Sequence, residues 1–323
     1  MPGERYLPGL RTRVFRLDDL TFFLKPLPPF RLDLSVWVLR RRPENAIDRW
    51  DGQTYQRVHV MGDKLLMVAV QQAGSADTPR LRITASGREV PPNTRTWLAK
   101  ALRRLMGTQI DLAPFYRLAG LDKKLWPLTK RFEGVKPPRF ATVFEALING
   151  IACQQLSLSV GIRLLNRLAE AFGLVTFVNG VPAYAFPRPQ DLARLKPGDF
   201  RKLGLNRQKA RAIIELSIAV VKDRLNLESL EGLNDEQVVE RLCELRGVGR
   251  WTAEYVLLRG LGRLHIFPGD DVGARNQLQR WLRLRKPLDY QGVHRVLAPW
   301  HPFGGLIYFH LLMSGLDDKG YLK

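Results

Sequence analysis

The sequence predicts a mainly α-helical protein that carries a small α+β domain, built on an antiparallel sheet, at its N-terminal end. Three observations lead there. At 323 residues the chain is too long for one ordinary core, so two or three packed domains are expected. Strand-type alternation is confined to the first third of the chain, and from Thr94 onward apolar residues recur with a helical period instead. A composition of 45% hydrophobic and 25% charged residues belongs to a folded globular protein.

The elements follow in order. Residues 32–40 read as a short helix. Residues 55–60, 64–72 and 80–85 alternate or run apolar and β-branched, and turn signals separate them at Met61-Gly62-Asp63 and Gly74-Ser75-Ala76-Asp77. This first domain is expected to end near Pro91-Pro92-Asn93. Helices are then predicted over 94–106, 112–119, 141–153, 157–172, 191–195, 207–221, 235–245, 250–260, 272–284 and 304–313. Gly173 and Gly204 supply visible stops, and FEGVKPP at 132–138 is a helix-free linker. Neither an internal repeat nor a low-complexity tract interrupts the pattern.

Charge narrows the partner. Fifty-one basic against 31 acidic residues give a formal net charge of +20, which favours a polyanion. Nucleic acid is the first choice. An acidic membrane surface would need an apolar span or a basic amphipathic anchor. The N-terminal MPGERYLPGLRTRVFRL is broken by Pro, Gly and Arg, and no later segment reaches spanning length without charges. A cytoplasmic protein that does not engage a membrane is expected. The two cysteines, Cys153 and Cys243, cannot form a disulfide framework, a structural zinc site or a four-cysteine iron–sulfur cluster, and both are expected as small core residues. The five histidines show no HxxH or HExxH spacing, so no metal ligands are assigned.

The most specific segment is Leu245-Arg246-Gly247-Val248-Gly249-Arg250-Trp251-Thr252-Ala253. An apolar helix (Val238, Val239, Leu242) runs into it and a second helix starts at once. Glycine tolerates positive φ and leaves the backbone bare, so Gly247 and Gly249 allow a tight reversal, with Val248 anchoring it in the core. The N–H groups of the turn and of the next helix then form an anion site at a positive dipole end, with Arg250 reinforcing it. A phosphate of a nucleic-acid backbone suits that site. A plain αα-hairpin with a glycine cap is the alternative.

One helix later comes Phe267-Pro268-Gly269-Asp270-Asp271-Val272-Gly273, which puts Asp270 or Asp271 at a helix N-terminus. Either can be an ordinary N-cap. Either can also stabilise positive charge on a sugar while a glycosidic bond breaks. Trp251 and Tyr255, four residues apart, share a helix face. They can pack in a core, or wall a pocket for an extruded base, where electron-rich rings attract a cationic one.

Taken together, LRGVGRWTAEY and FPGDDVG resemble the helix-hairpin-helix, Gly/Pro-rich, Asp superfamily of DNA glycosylases, and within it the DNA-3-methyladenine glycosylase II (AlkA-type) family. Phe144-Glu145-Ala146-Leu147 through Cys153-Gln154-Gln155-Leu156-Ser157, Leu203-Gly204-Leu205 with Lys209-Ala210, and Pro299-Trp300 extend the resemblance. PPFRLDLSVWVLRR resembles the extra N-terminal domain of that family less specifically. The resemblance implies two helical lobes flanking a cleft. It puts an α+β domain at 1–90, one lobe at 91–134 completed by 264–323, and the hairpin lobe at 135–263.

The resemblance also assigns roles. Asp271 becomes the catalytic carboxylate, with Asp270 its neighbour. Trp251, Tyr255 and Phe309 line the base pocket, and Gly247, Val248, Gly249, Arg250 and Thr252 form the phosphate-binding hairpin. Gln155 or Leu156 is the wedge that enters the gap left by the base, while Ser157 caps the next helix. Trp251 stands where related glycosylase-lyases carry a Schiff-base lysine, which implies a monofunctional enzyme using water. The implied substrate is an alkylated, cationic purine in double-stranded DNA, acted on by a monomer without cofactor or iron–sulfur cluster. A bifunctional glycosylase-lyase for oxidised bases and a non-enzymatic DNA-binding module are the alternatives.

Overall fold

The computed structural model describes residues 18–178 and 180–322. The N-terminal part contains β1 (Asp18–Leu24), α1 (Leu32–Arg40), β2 (Arg49–Trp50), β3 (Thr54–Met61), β4 (Lys64–Gln72), β5 (Leu81–Gly87) and α2 (Thr94–Met106). The strands form one antiparallel sheet in the order β1-β5-β4-β3-β2. Gly62, at φ +63°, closes the β3–β4 hairpin, where Met61 pairs with Lys64. In β5 the alternation is plain: Leu81, Ile83 and Ala85 are fully buried, while Arg82 is exposed. Leu98, Leu102 and Leu105 of α2 close this core, so the helix just past the expected boundary at residue 90 packs with the sheet.

The remaining elements are helical apart from one hairpin. They are α3 (Ala113–Gly120), α4 (Leu125–Arg131), α5 (Val143–Cys153), α6 (Leu158–Phe172), β6 (Val175–Val178), β7 (Val181–Tyr184), α7 (Pro189–Leu192), α8 (Pro197–Arg201), α9 (Arg207–Val221), α10 (Asp235–Cys243), α11 (Arg250–Val256), α12 (Val272–Leu282), α13 (Tyr290–Leu297) and α14 (Gly304–Asp317). The helix begun by α11 continues as a π turn over Leu257–Leu261. One helical core gathers Leu147 and Ile148 of α5, Leu165 and Leu168 of α6, Ile213 of α9, Val238 and Leu242 of α10, and Val256. A second gathers Phe115, Leu125, Phe132, Leu278, Ile307 and Phe309.

Helix α1 ties the sheet to the second helical core. Leu32, Val36 and Leu39 enter the sheet core, while Leu34 and Val38 enter the helical one. A helix apolar on opposing sides must be covered on both, and α1 is. One expectation fails: Cys243 is exposed at the end of α10, and Cys153 is only partly buried. Apolar sequence neighbours do not fix which side of a helix a residue takes. Among the described residues no helix is long and apolar enough to cross a membrane.

Candidate active site

The hairpin is built by local rules. Asn234 caps α10 by accepting from the Gln237 N–H at 2.9 Å, and the Gln237 side chain accepts from the Asn234 N–H at 3.1 Å. After α10 the chain reverses at Gly247, which has φ +75°. A Cβ there would lie 2.9 Å from the Ala212 Cβ, so conformation and space both require glycine. Val248 is buried, as the sequence predicts. Gly249 differs: its backbone is extended (φ −112°, ψ −179°), and a Cβ would meet nothing within 4 Å. Its use is therefore not conformational. It begins α11 with no side-chain cap, leaving the first N–H groups of that helix without a side-chain partner from the cap.

Two expected members of the phosphate site are engaged elsewhere. Arg250 donates from Nε and Nη2 to one oxygen of Asp270 at 3.0 and 2.8 Å, and its guanidinium stacks 3.8 Å from the Tyr290 ring centroid. Thr252 is buried, its hydroxyl accepting from the Gln154 side chain at 2.8 Å. Gln154 also donates to the Gly247 carbonyl at 2.7 Å, so it fixes the loop after α5 to the hairpin. Lys209 holds the other side of that loop, donating to the carbonyls of Ala152 at 3.0 Å and Gln154 at 2.7 Å. Between these anchors Gln155 takes φ +56°, and Leu156 is 41% exposed. Ser157 caps α6 by accepting from the Val160 N–H.

This loop, the start of α11 and the start of α12 enclose a cavity of about 490 Å³ with Arg41, Tyr308 and Arg259. An outer groove continues it past Gln154, Gln155, Gly249 and Asp270. Trp251 and Tyr255 stack with ring centroids 5.5 Å apart and planes at 23°, and both line the inner cavity. The Tyr255 hydroxyl accepts from Arg41 Nη1 at 2.9 Å.

The structure separates the two aspartates that the sequence leaves together. Asp270 pairs with Arg250 outside, while Asp271 lines both the cavity and the groove. One Asp271 oxygen caps α12, accepting from the Ala274 N–H at 2.9 Å, and the other accepts from the Tyr308 hydroxyl at 3.0 Å. Burial, with the nearby Asp271 charge, raises the Tyr308 phenol well above the usual range, so it stays a donor. Glu254 fixes the loop that carries both aspartates: it accepts from the Gly269 N–H at 3.1 Å and from the Tyr290 hydroxyl at 2.6 Å. Its carboxyl is raised by burial.

Phe309 does not line the cavity. It is 1% exposed, packed edge-on to Tyr308 and against the Arg259 guanidinium, and Tyr308 takes the place expected for it. Tyr308 and Phe309 stand about 100° apart around α14, and the cavity side falls to Tyr308. Sequence reading also missed Arg41, Arg42, Arg259 and Lys319, four cations that line the cavity against one carboxylate, Asp271. Arg41 follows α1 in the left-handed region at φ +60°, and no local pattern announces its bond to a residue 214 positions away.

Residues 148–302 match the HhH-GPD superfamily base excision DNA repair protein family. The chain is 29% identical over 282 residues to the DNA-3-methyladenine glycosylase of Bacillus subtilis, covering 87% of this chain and 93% of that one. The structure of a 3-methyladenine DNA-glycosylase from Archaeoglobus fulgidus superposes with a TM-score of 0.79 at 25% identity, over 92% of this chain and 98% of that one. The 3-methyladenine DNA glycosylase of Schizosaccharomyces pombe, solved with abasic DNA, superposes with a TM-score of 0.53 at 27% identity, over 61% of this chain and 94% of that one. In sequence over residues 148–302 and in fold over most of its length, the chain is similar to base excision DNA repair proteins of the HhH-GPD superfamily.

Proposed function

We propose that this protein is a monofunctional DNA glycosylase that removes alkylated purine bases from duplex DNA by hydrolysing the N-glycosidic bond. The single observation that carries the reading is Asp271, a carboxylate with one oxygen held by a helix N-terminus and the other by Tyr308, on the wall of a cavity with a stacked aromatic pair. The duplex is held through backbone phosphates at the bare start of α11, and the damaged base is turned out of the stack. Leu156, exposed and apolar, or the neighbouring Gln155 fills the gap, and the base lies against Trp251 and Tyr255.

Bond cleavage moves charge. An alkylated purine begins as a cation, and when the bond from sugar C1′ to the base nitrogen breaks, the electron pair stays with the base. The base leaves neutral and the positive charge passes to the sugar. Asp271 stabilises that sugar cation, while the cavity cations make the charge less favourable on the base, so both ends of the field favour the same direction. Water then adds at C1′ and releases a proton. The base is its own good leaving group, and one carboxylate suffices. We further infer that the protein acts as a cytoplasmic monomer on chromosomal DNA.

The reaction class has a direct test. Trp251 provides no amine, and Lys209 is committed to two carbonyls, so the amine lining the cavity is Lys319. With a methylated duplex the expected products are free base and intact strands that break only on alkali treatment, with no adduct trapped by borohydride. A trapped adduct, lost in Lys319→Met, would make the protein a lyase. Binding without base release would make it a DNA-binding module.

A further inference from the structure

Helix α11 carries more of the site than its uncapped N-terminus. Trp251 and Tyr255 line the cavity from it, and Glu254 of the same helix, 6% exposed, reaches the loop that leads to Asp271. Among the described residues Glu254 is the one side chain that hydrogen-bonds the backbone of residues 268–270. One of its oxygens accepts from the Gly269 N–H at 3.1 Å, and the other accepts from the Tyr290 hydroxyl at 2.6 Å. Tyr290, at the first position of α13, closes the clamp with its ring. A Cβ on Gly269 would lie 2.7 Å from one carbon of that ring, so the ring fills the space a side chain would need. Burial and the bond to Glu254 push the Tyr290 phenol up to about 12, which keeps it a donor.

Asp271 stands two residues past Gly269, and its own N–H closes the turn on the Pro268 carbonyl at 3.0 Å. The anchor at Gly269 therefore fixes where the chain enters α12 and how far the Asp271 carboxylate reaches. We infer that Glu254 and Tyr290 are positioning residues, holding this loop to the hairpin helix so that the helix seated on a DNA phosphate also sets the reach of Asp271 to the sugar. The inference rests on the glycosylase reading above and adds to it how the carboxylate is placed.

A short hydrogen-bonded helix moves as one body, so phosphate seat, base wall and loop anchor keep their spacing while they share α11. A displacement of about 1 Å at a reacting group can cost roughly 10²-fold in rate, so the spacing matters to the chemistry more than to binding. The pair of Arg250 and Asp270 also spans from α11 to the loop, but it stands in solvent, where such pairs contribute little. Glu254 and the contact it makes with Gly269 are buried.

The experiment compares single-turnover base release from a methylated duplex, corrected for uncatalysed release, at a temperature where every variant is folded. Glu254→Gln keeps the shape and turns one acceptor into a donor, so release should fall about tenfold while affinity for undamaged duplex stays within about twofold of wild type. Tyr290→Phe keeps the ring on Gly269 and should cost less, about threefold. The deciding readout is the double variant. With Asp271→Asn in place no charge is left to position, so adding Glu254→Gln should lower release by less than about twofold. A loss of the same factor in both backgrounds makes Glu254 a structural residue only and overturns the inference. If Glu254→Gln does not fold, Tyr290→Phe is read in both backgrounds instead. If Asp271→Asn releases no base above the uncatalysed rate, the single variants decide. Slower release at unchanged affinity then supports the inference, and release at the wild-type rate, or a loss of affinity that matches the loss of rate, overturns it. Wild-type protein that releases no base overturns the glycosylase reading instead.

Discussion

Adjacent aspartates with opposite surroundings make the residue scale the sharpest place to test the site. Asp271→Asn keeps an oxygen that can cap α12 through the Ala274 N–H and removes the charge facing the cavity. Base release should fall on the order of 10²-fold or more in single turnover, with binding of undamaged duplex retained. Asp270→Asn breaks an ion pair whose partners are 32% and 52% exposed, and such pairs contribute about 1 kcal/mol or less. Its rate should stay within about threefold of wild type. The reverse ranking would remove Asp271 from the reaction. The sequence alone narrows the carboxylate to two positions, because Pro268 and Gly269 announce a turn and a following cap. The residues that complete its setting are silent for a reason: Tyr308 lies 37 positions from Asp271, Glu254 15 positions from the Gly269 it holds, and Arg41 214 positions from its partner Tyr255.

Elements were legible where their signals are local. The hairpin announces itself because Gly247 and Gly249 sit between two apolar helical patterns, and β3, β4 and β5 because turn residues separate them. Strand β1 was not anticipated, since its partner is β5, which lies far along the chain with no shared turn. Helix α11 was expected to run unbroken to residue 260, but it ends at Val256 in a π turn whose Arg259 carries the guanidinium in the cavity wall. The hairpin glycines now make separable predictions. Gly247→Ala places a Cβ 2.9 Å from Ala212 at φ +75°, so it should destabilise the fold by about 1–3 kcal/mol as well as weaken binding. Gly249→Ala meets no protein atom and should unfold at wild-type denaturant concentration. Its added methyl group stands where a phosphate approaches, so affinity for damaged and undamaged duplex should fall together. Wild-type affinity in a folded Gly249→Ala variant would move the phosphate site off this hairpin.

Over the whole molecule, the sheet and the helices are joined by buried polar contacts that composition cannot reveal. Arg57 of β3 pairs with Asp48 at 2.8 Å and with Glu145 of α5 at 2.6 Å, all three buried. The same burial traps two histidines as neutral rings. His59 in β3 is lowered to about 3 by burial, with a further contribution from the Arg57 charge, and His310 in α14 is lowered to about 4 by burial. His310 donates from Nδ1 to the Leu306 carbonyl and packs 5.2 Å from the Phe115 ring. An unfolded chain protonates both near the ordinary histidine value of 6.5. Below that value and above about 4 the unfolded state holds more protons, so these groups make stability fall as pH falls. Glu145 and Glu254, raised by burial, act with the opposite sign. The test is therefore a difference between proteins: denaturant unfolding of wild type and His310→Phe compared between about pH 7 and pH 5. The variant cannot titrate there, so its stability relative to wild type should improve by about 1.4 kcal/mol for each pH unit below the unfolded value. A difference that stays constant across that range would mean His310 binds its proton in the folded protein as readily as in the unfolded chain.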